Sequence, residues 1–256
     1  MRFRCAFFFL AFLALAATAH GDWAILSSTP EPGRGGLVHR HAVLENGARS
    51  ERITVDLAIF STKSCTLRIL QNEGGADSLG EMMRRENCLA GVNGGYFDEE
   101  FAPIGLRIAN GQVIVPLRRA RLTTGVLVAS PRGVQIVRSR EFSRQRGVSA
   151  AIQCGPFLVD RGESIQGLND SSLARRTFAA TTTSNRALLG VCSAVSLAEL
   201  SKILALTSFA EDLRIERALN LDGGSSSGFW FVRENGSAFS IPEQKPVRDF
   251  VAIVPR

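Results

Sequence analysis

Ala218-Leu219-Asn220-Leu221-Asp222-Gly223-Gly224-Ser225-Ser226-Ser227-Gly228 is the stretch from which the rest of the chain is read. Ala218, Leu219 and Leu221 have the composition of a buried strand end, and directly after them the chain releases a carboxylate, two glycines and three hydroxyls at one point. Paired glycines let a backbone take positive φ or pass close to a ligand. Asn220 and Asp222, two residues apart on an extended strand, put an amide and a charge on one face. A β-turn centred on Asp-Gly explains the same residues without any site. The remainder of the chain has to decide.

A second stretch has the same logic. Leu89-Ala90-Gly91-Val92-Asn93-Gly94-Gly95-Tyr96-Phe97-Asp98 reads as a short apolar strand ending in an amide, two glycines and a carboxylate, with the only tyrosine of the chain. Two such strand ends are harder to explain as coincident turns than one. Strands are predicted at 37–44 and 52–60 around Asn46-Gly47, at 66–70, in hairpins at 123–128 with 133–137 and 177–183 with 187–192, and at 149–159, 217–221, 229–232 and 247–254. Pro103-Ile104-Gly105-Leu106 and Asn110-Gly111 punctuate a further hairpin, and Gly155-Pro156 marks a bulge or edge within 149–159. Helices are predicted at 78–87 and 196–206, each opened by a capping box, Ser78 with Glu81 and Ser196 with Glu199. Few helices among many strands predict an α+β fold, and the lack of a linker predicts one domain.

Residues 1–19 have the layout of a signal peptide: basic Arg2 and Arg4, an apolar run over 6–16 and the small-x-small site Ala17-Thr18-Ala19. Cleavage before His20 and a periplasmic or secreted product are expected. The apolar run is short for a membrane span and no later segment approaches that length, so no stable membrane insertion is expected after cleavage. Residues 20–36, rich in Ser, Pro and Gly, read as an N-terminal lead-in rather than a packed element, leaving 37–256 as the folded domain.

Cleavage takes the formal charge from +6 to +4. The basic excess is arginine, scattered except at Arg118-Arg119 with Arg121 and at Arg175-Arg176, so no nucleic-acid partner is called for. Arginine grips phosphate or carboxylate through two parallel bonds, which suits an anionic substrate. Cys65, Cys88, Cys154 and Cys192 lie outside the signal; in an oxidising compartment they can make two disulfides in three connectivities. Their spacing, with histidine only at 20, 39 and 41, contains no zinc pattern, and no metal ligands are assigned. His39 and His41 share a strand face with no carboxylate or thiol neighbour evident in the sequence, and read as structural or surface residues.

Five segments taken in order, VNGGYFD at 92–98, PxGL at 103–106, QCGPFLVDRG at 153–162, ARRT at 174–177 and ALNLDGGSSS at 218–227, resemble the motif series of the phosphodiester glycosidase family over roughly 37–254. Two departures are Cys154, where the family usually has Ser or Gly, and three hydroxyls after Gly224 where one or two are usual. The resemblance implies a mixed, mainly antiparallel central sheet with a few helices packed on it. It also implies an exported hydrolase that cleaves the glycosidic C1–O bond of a sugar-phosphodiester or phosphate-containing glycan, without indicating which sugar.

Such a leaving group is stable as an anion, since the second pKa of a phosphate monoester is about 6, so a general acid is dispensable. What remains is to hold phosphate and to stabilise positive charge at C1. Asp222, as nucleophile or as base for water, Arg176 and Asn93 are the catalytic candidates. Gly94, Gly95, Gly223 and Gly224 offer amides for an anion nest, Asn93 and Asn220 amides for sugar hydroxyls or phosphate, and Ser225 and Ser226 hydroxyls for phosphate. Tyr96, Asp98 as a second carboxylate and Arg175 complete the substrate-binding set. Adjacent strand residues point to opposite faces, so only one of Arg175 and Arg176 should face the substrate. No cofactor is expected, with a divalent cation beside Asp222 left open. Two other readings are a non-catalytic carbohydrate- or envelope-binding module on the same fold and a serine hydrolase. The second rests on the GxSxG pattern centred on Ser226, which lacks a later histidine.

Overall fold

The computed structural model describes residues 23–143, 146–206, 209 and 213–256; the signal-like residues 1–19 lie outside these. In chain order the described elements are β1 (Trp23–Pro32), β2 (Val38–Asn46), β3 (Glu51–Ser61), β4 (Cys65–Gln71), α1 (Leu79–Arg85), β5 (Ala90–Asn93), β6 (Arg107–Ala109), β7 (Gln112–Val115), β8 (Gly125–Ser130), β9 (Gly133–Arg138), β10 (Ala150–Cys154), β11 (Phe157–Asp160), β12 (Glu163–Ser164), β13 (Ala174–Thr182), β14 (Arg186–Val195), α2 (Leu197–Leu206), β15 (Ile215–Asn220), β16 (Phe229–Val232), β17 (Ala238–Ile241) and β18 (Asp249–Pro255). They form an eight-stranded sheet, β1-β2-β3-β14-β13-β15-β11-β12, and two five-stranded sheets, β7-β6-β10-β8-β9 and β17-β16-β5-β18-β4.

The α+β expectation holds in this strand-rich form, but the single mixed sheet is replaced by three sheets whose described pairings are all antiparallel. The reason lies in how each helix crosses over. α1 joins β4 to β5, and β18 inserts between these two and pairs antiparallel with both. α2 joins β14 to β15, and β13 inserts between them in the same way. Each crossover therefore places two like-directed strands beside a third that runs the other way, and no parallel pair forms.

Period-two alternation sorts the apolar side chains into layers. Ala58 and Phe60 of β3, Leu219 of β15, Phe229 and Phe231 of β16, and Val251 and Ile253 of β18 share a central core to which all three sheets contribute. The intervening residues face outward to a helix. Val55, Leu57 and Ile59 pack with Leu200, Ile203 and Leu204 of α2, and Trp230, Phe250 and Ala252 with Leu79, Met82 and Met83 of α1. The Ser78–Glu81 capping box is present in full. At α2 only half forms: Glu199 N–H donates to Ser196 Oγ (3.1 Å), while its carboxylate accepts from Trp23 Nε1 (2.7 Å) and Lys202 Nζ (2.9 Å).

Four expectations are corrected. Residues 23–32 of the expected lead-in are β1, an edge strand paired along β2 from Trp23↔Asn46 to Pro32↔Val38. The 149–159 strand is two, because the Gly155-Pro156 step sends β10 to one sheet and β11 to another. Cys65, Cys88, Cys154 and Cys192 are all buried and unbridged. His39 and His41 do have acidic neighbours. Asp56 Oδ1 lies 2.9 Å from both His39 Nε2 and His41 Nδ1, and Glu31 Oε2 lies 3.3 Å from His39 Nδ1. Glu31 also pairs with Arg233 at 2.6 Å, which fastens β1 to the turn after β16.

Candidate active site

β15 ends at Asn220, and there the chain passes from the eight-stranded sheet to the sheet that holds β5. Leu221 N–H donates to Thr177 O (2.8 Å) of β13, and Asp222 N–H donates to Gly94 O (3.1 Å) just beyond β5. Asn93, 1% exposed, completes the junction. Its Nδ2 donates to Asp222 O (2.8 Å), and its Oδ1 accepts from the Thr177 hydroxyl (2.7 Å) and Gly228 N–H (3.1 Å). The two glycine-bearing stretches are therefore side by side. The Asn93 amide is occupied by protein, and it positions Asp222.

Gly94 and Gly95 are equally committed. Gly94 N–H donates to Asp249 O (2.7 Å) and Gly95 N–H to Asp249 Oδ1 (2.9 Å). A Cβ on Gly94 would lie 1.8 Å from Asp249 Oδ1, and one on Gly95 would lie 2.2 Å from Arg107 Nη2. These glycines admit the buried Arg107–Asp249 ion pair (2.6 Å), so their amides are engaged away from any anion nest. Gly223 N–H turns onto the Asp222 carboxylate (3.0 Å), and Gly224, at φ 65°, opens a 3-10 turn over Gly224–Ser226.

Asp222 itself is half-buried, and desolvation holds its carboxyl above the usual carboxylate range, with a further push from the Asp249 charge. The Ser226 hydroxyl, Lys245 and the Gly223 N–H act the other way but do not prevail. Ser226 faces the carboxylate, yet its Oγ meets no partner at hydrogen-bond geometry; Ser227 Oγ and Asn220 Oδ1 are likewise buried without one. Three orphaned polar atoms thus lie within eight residues of chain, beside a raised carboxylate. Ser225 is exposed, and its carbonyl accepts from Gln244 N–H (2.7 Å).

Tyr96 OH donates to Gly155 O (2.6 Å) and accepts from Asn220 Nδ2 (3.0 Å). Burial, then the Cys154 and Asp222 groups, pushes this phenol far above its ordinary range and keeps it neutral. Arg175 donates to Ser227 O, and to Pro242 O at 3.2 Å, whereas Arg176 donates to Val195 O (3.0 Å) and Ser172 O (2.6 Å). The two heads diverge as strand geometry requires; a Cβ on Gly223 would meet the Arg175 backbone O at 2.9 Å and Arg176 Cδ at 3.8 Å. Burial lowers both guanidinium pKa values, and among the described residues neither is paired to a carboxylate. Asp98 is set apart: it is exposed, and its Oδ1 accepts from Ala102 N–H (2.8 Å) in a turn.

The sequence reading passed over Lys245, whose Nζ stands 5.1 Å from the Phe97 ring centre and whose charge reaches Asp222. It also passed over Thr177, and over Glu243, whose Oε1 accepts from Leu79 N–H (2.7 Å) while Oε2 is buried without a partner. The rarity of lysine in the chain was the one signal for Lys245. Among the described residues no group of three His, Cys, Asp or Glu could hold a metal.

The sequence model of the phosphodiester glycosidase family matches residues 86–254. Among curated proteins, the uncharacterized protein YigE of Escherichia coli (strain K12) is 37% identical over 78 residues, covering 28% of this chain and 31% of that protein. The match therefore spans about a third of that relative's length. Among solved structures, the catalytic domain of zebrafish N-acetylglucosamine-1-phosphodiester alpha-N-acetylglucosaminidase, auto-inhibited by its pro-peptide, superposes with a TM-score of 0.61 at 16% identity, covering 92% of this chain and 83% of that one. A hypothetical protein from Synechocystis gives 0.58 at 14% identity over 86% of this chain and 62% of that one. At such identities the structural likeness speaks for the fold.

Proposed function

The chain belongs to the phosphodiester glycosidase family, and from that premise we propose that it hydrolyses the glycosidic C1–O bond of a sugar-phosphodiester. The observation that carries this reading is one half-buried carboxylate of raised pKa, Asp222, followed by Gly223, against which the Arg176 side chain lies, with Arg176 unpaired to any carboxylate among the described residues. Asp249, the other carboxylate whose charge reaches Asp222, is occupied by Arg107 and Gly95. One acid group faces the reacting carbon, and the phosphate leaves as an anion without a proton donor.

In this mechanism the C1–O bond breaks with its electron pair on the phosphate oxygen, which the guanidinium group of Arg176 holds through charge-assisted bonds. Asp222 stabilises the developing oxocarbenium ion and takes the proton from the water whose oxygen bonds to C1. The products are free sugar and a phosphate monoester. The Ser226 and Ser227 hydroxyls supply neutral hydrogen bonds to sugar or phosphate. Lys245 adds positive charge at the entrance, and the reading needs no cofactor.

A serine hydrolase has less support. Both ring nitrogens of His39 are engaged by carboxylates, and the nearest ring contacts of His39 are phenylalanines rather than Ser226. Export into the periplasm or beyond follows from residues 1–19 as part of the same proposal. No helix of the described residues is long and apolar enough to cross a membrane.

Hydrolysis of a sugar-phosphodiester in 18O-labelled water is the test. Label is expected in the sugar hydroxyl and not in the phosphate, and Asp222→Asn is expected to reduce the rate by roughly 10³-fold or more. Label in the phosphate, or undiminished turnover by the variant, overturns the mechanism.

A further inference from the structure

The arginines clustered at 118, 119 and 121 have no role in the chemistry above, yet they are not idle surface. They line a cavity of about 810 Å³ together with Arg138, Arg140, Leu117, Thr124 and Phe142. Arg138 is neutralised by Asp160 at 2.7 Å and stacks over the Phe157 ring at 4.1 Å. Among the described residues Arg140 faces Glu141, at 3.8 Å. Among the described residues Arg118, Arg119 and Arg121 have no carboxylate partner at all. Like charges lining one concavity focus a positive potential into it, which favours an anion there.

The segment that carries these arginines is anchored. Gln153, with no exposed surface, accepts from Arg118 N–H (3.1 Å) and donates to Arg118 O (2.6 Å) and Thr123 O (3.1 Å). A fully buried side chain thus holds the loop backbone in place. Two residues further on, Gly155 joins this cavity to the candidate active site. Its carbonyl accepts from Tyr96 OH and Asn220 Nδ2, while a Cβ on it would meet Leu122 O at 2.4 Å and Thr124 N at 2.8 Å.

We infer that the arginine-lined cavity is a second anion subsite, which takes a phosphate group on the aglycone side of the substrate. The aglycone assignment rests on the proposed function; the phosphate binding does not. Guanidinium groups suit phosphate through parallel N–H···O bonds. Leu117 and Phe142 supply an apolar wall, and Leu122 stands 69% exposed on the segment itself, so the phosphate is borne either by a soluble compound or by a lipid.

The experiment is calorimetric titration of the full chain with inorganic tripolyphosphate, and co-sedimentation with phosphatidylglycerol vesicles against phosphatidylcholine vesicles. Each is repeated for the R118A/R119A/R121A variant, for Arg121→Glu alone and for R175A/R176A, with the unfolding midpoint of each variant read alongside. Tripolyphosphate binding is expected to weaken roughly tenfold or more in the triple variant, to weaken in Arg121→Glu, and to persist in R175A/R176A. Loss of phosphatidylglycerol binding alone in the triple variant supports the subsite and assigns its phosphate to a lipid. Affinities for both ligands that are unchanged by the triple substitution overturn the inference, as does tripolyphosphate binding that disappears in R175A/R176A instead. None of these readings requires turnover, so an inactive protein that still binds through Arg118, Arg119 and Arg121 leaves the subsite standing while removing the glycosidase.

Discussion

Asp222 is held where its charge is disfavoured, and that has opposite consequences for stability and for rate. Its folded pKa lies above that of an unfolded chain, about 3.9, so the folded state is disfavoured once pH rises past that value and the carboxylate must ionise in a half-buried, partly desolvated place. Below about pH 3.9 the group is neutral in both states and the penalty vanishes. Asp222→Asn should therefore raise the unfolding midpoint at neutral pH, by about 2–4 °C for each kcal/mol relieved, and the gain should disappear in acid. Thermal scans across pH read this directly; a variant less stable at pH 7 would mean the carboxylate is favourably solvated. The rate runs the other way. A base must be ionised, so kcat/KM should fall as pH drops through the raised pKa, with an acid limb above the ordinary carboxylate range. Lys245 lowers that pKa, so Lys245→Met should move the limb further up. A limb that stays in place in the variant would remove Lys245 from the site.

At the scale of elements, the junction between β15 and β5 depends on Asn93. Asn93→Ala leaves the Asp222 carbonyl, the Thr177 hydroxyl and the Gly228 N–H without a partner, at about 1–3 kcal/mol for each that stays dry. Urea denaturation should show a loss of that order with activity falling alongside it, whereas a loss of activity at full stability would return Asn93 to the substrate. The two strand ends were legible from sequence because an apolar run followed by an amide and paired glycines is a local pattern. The use of those glycines was not, because Asp249 and Arg107 approach Gly94 and Gly95 from 142 residues apart. β1 was hidden by Pro30 and Pro32. An edge strand tolerates proline on its unpaired side, and β1 pairs with β2 alone. The hairpins and the capping box of α1 could be read because their signals lie within a few residues. The order of the sheets could not, since the insertion of β18 between β4 and β5 is a long-range event.

For the whole molecule the Arg107–Asp249 pair ties two sheets to the site. Both side chains are 2% exposed, and Arg107 also donates to Tyr96 O (3.1 Å), Leu106 O (3.1 Å) and Gln153 O (3.3 Å). β6 and β10 of one sheet are thereby joined to β18 of another and to the segment after β5. Removing one partner leaves a buried charge, so Arg107→Met should cost about 3–5 kcal/mol. R107M/D249N should recover part of this, because the orphaned charge goes with the second substitution. The same cycle has a functional arm. Asp249 already raises the Asp222 pKa while paired with Arg107, so removing that partner in Arg107→Met should shift the acid limb of kcat/KM upward, and R107M/D249N should bring it back. Denaturation and pH–rate profiles on the four proteins of the cycle measure both arms. Strictly additive stabilities would show that the pair does not clamp the sheets. An acid limb that does not move in Arg107→Met would show that Asp249 and Asp222 are not electrostatically coupled, and with that the long-range support for the reactivity of Asp222 would fall.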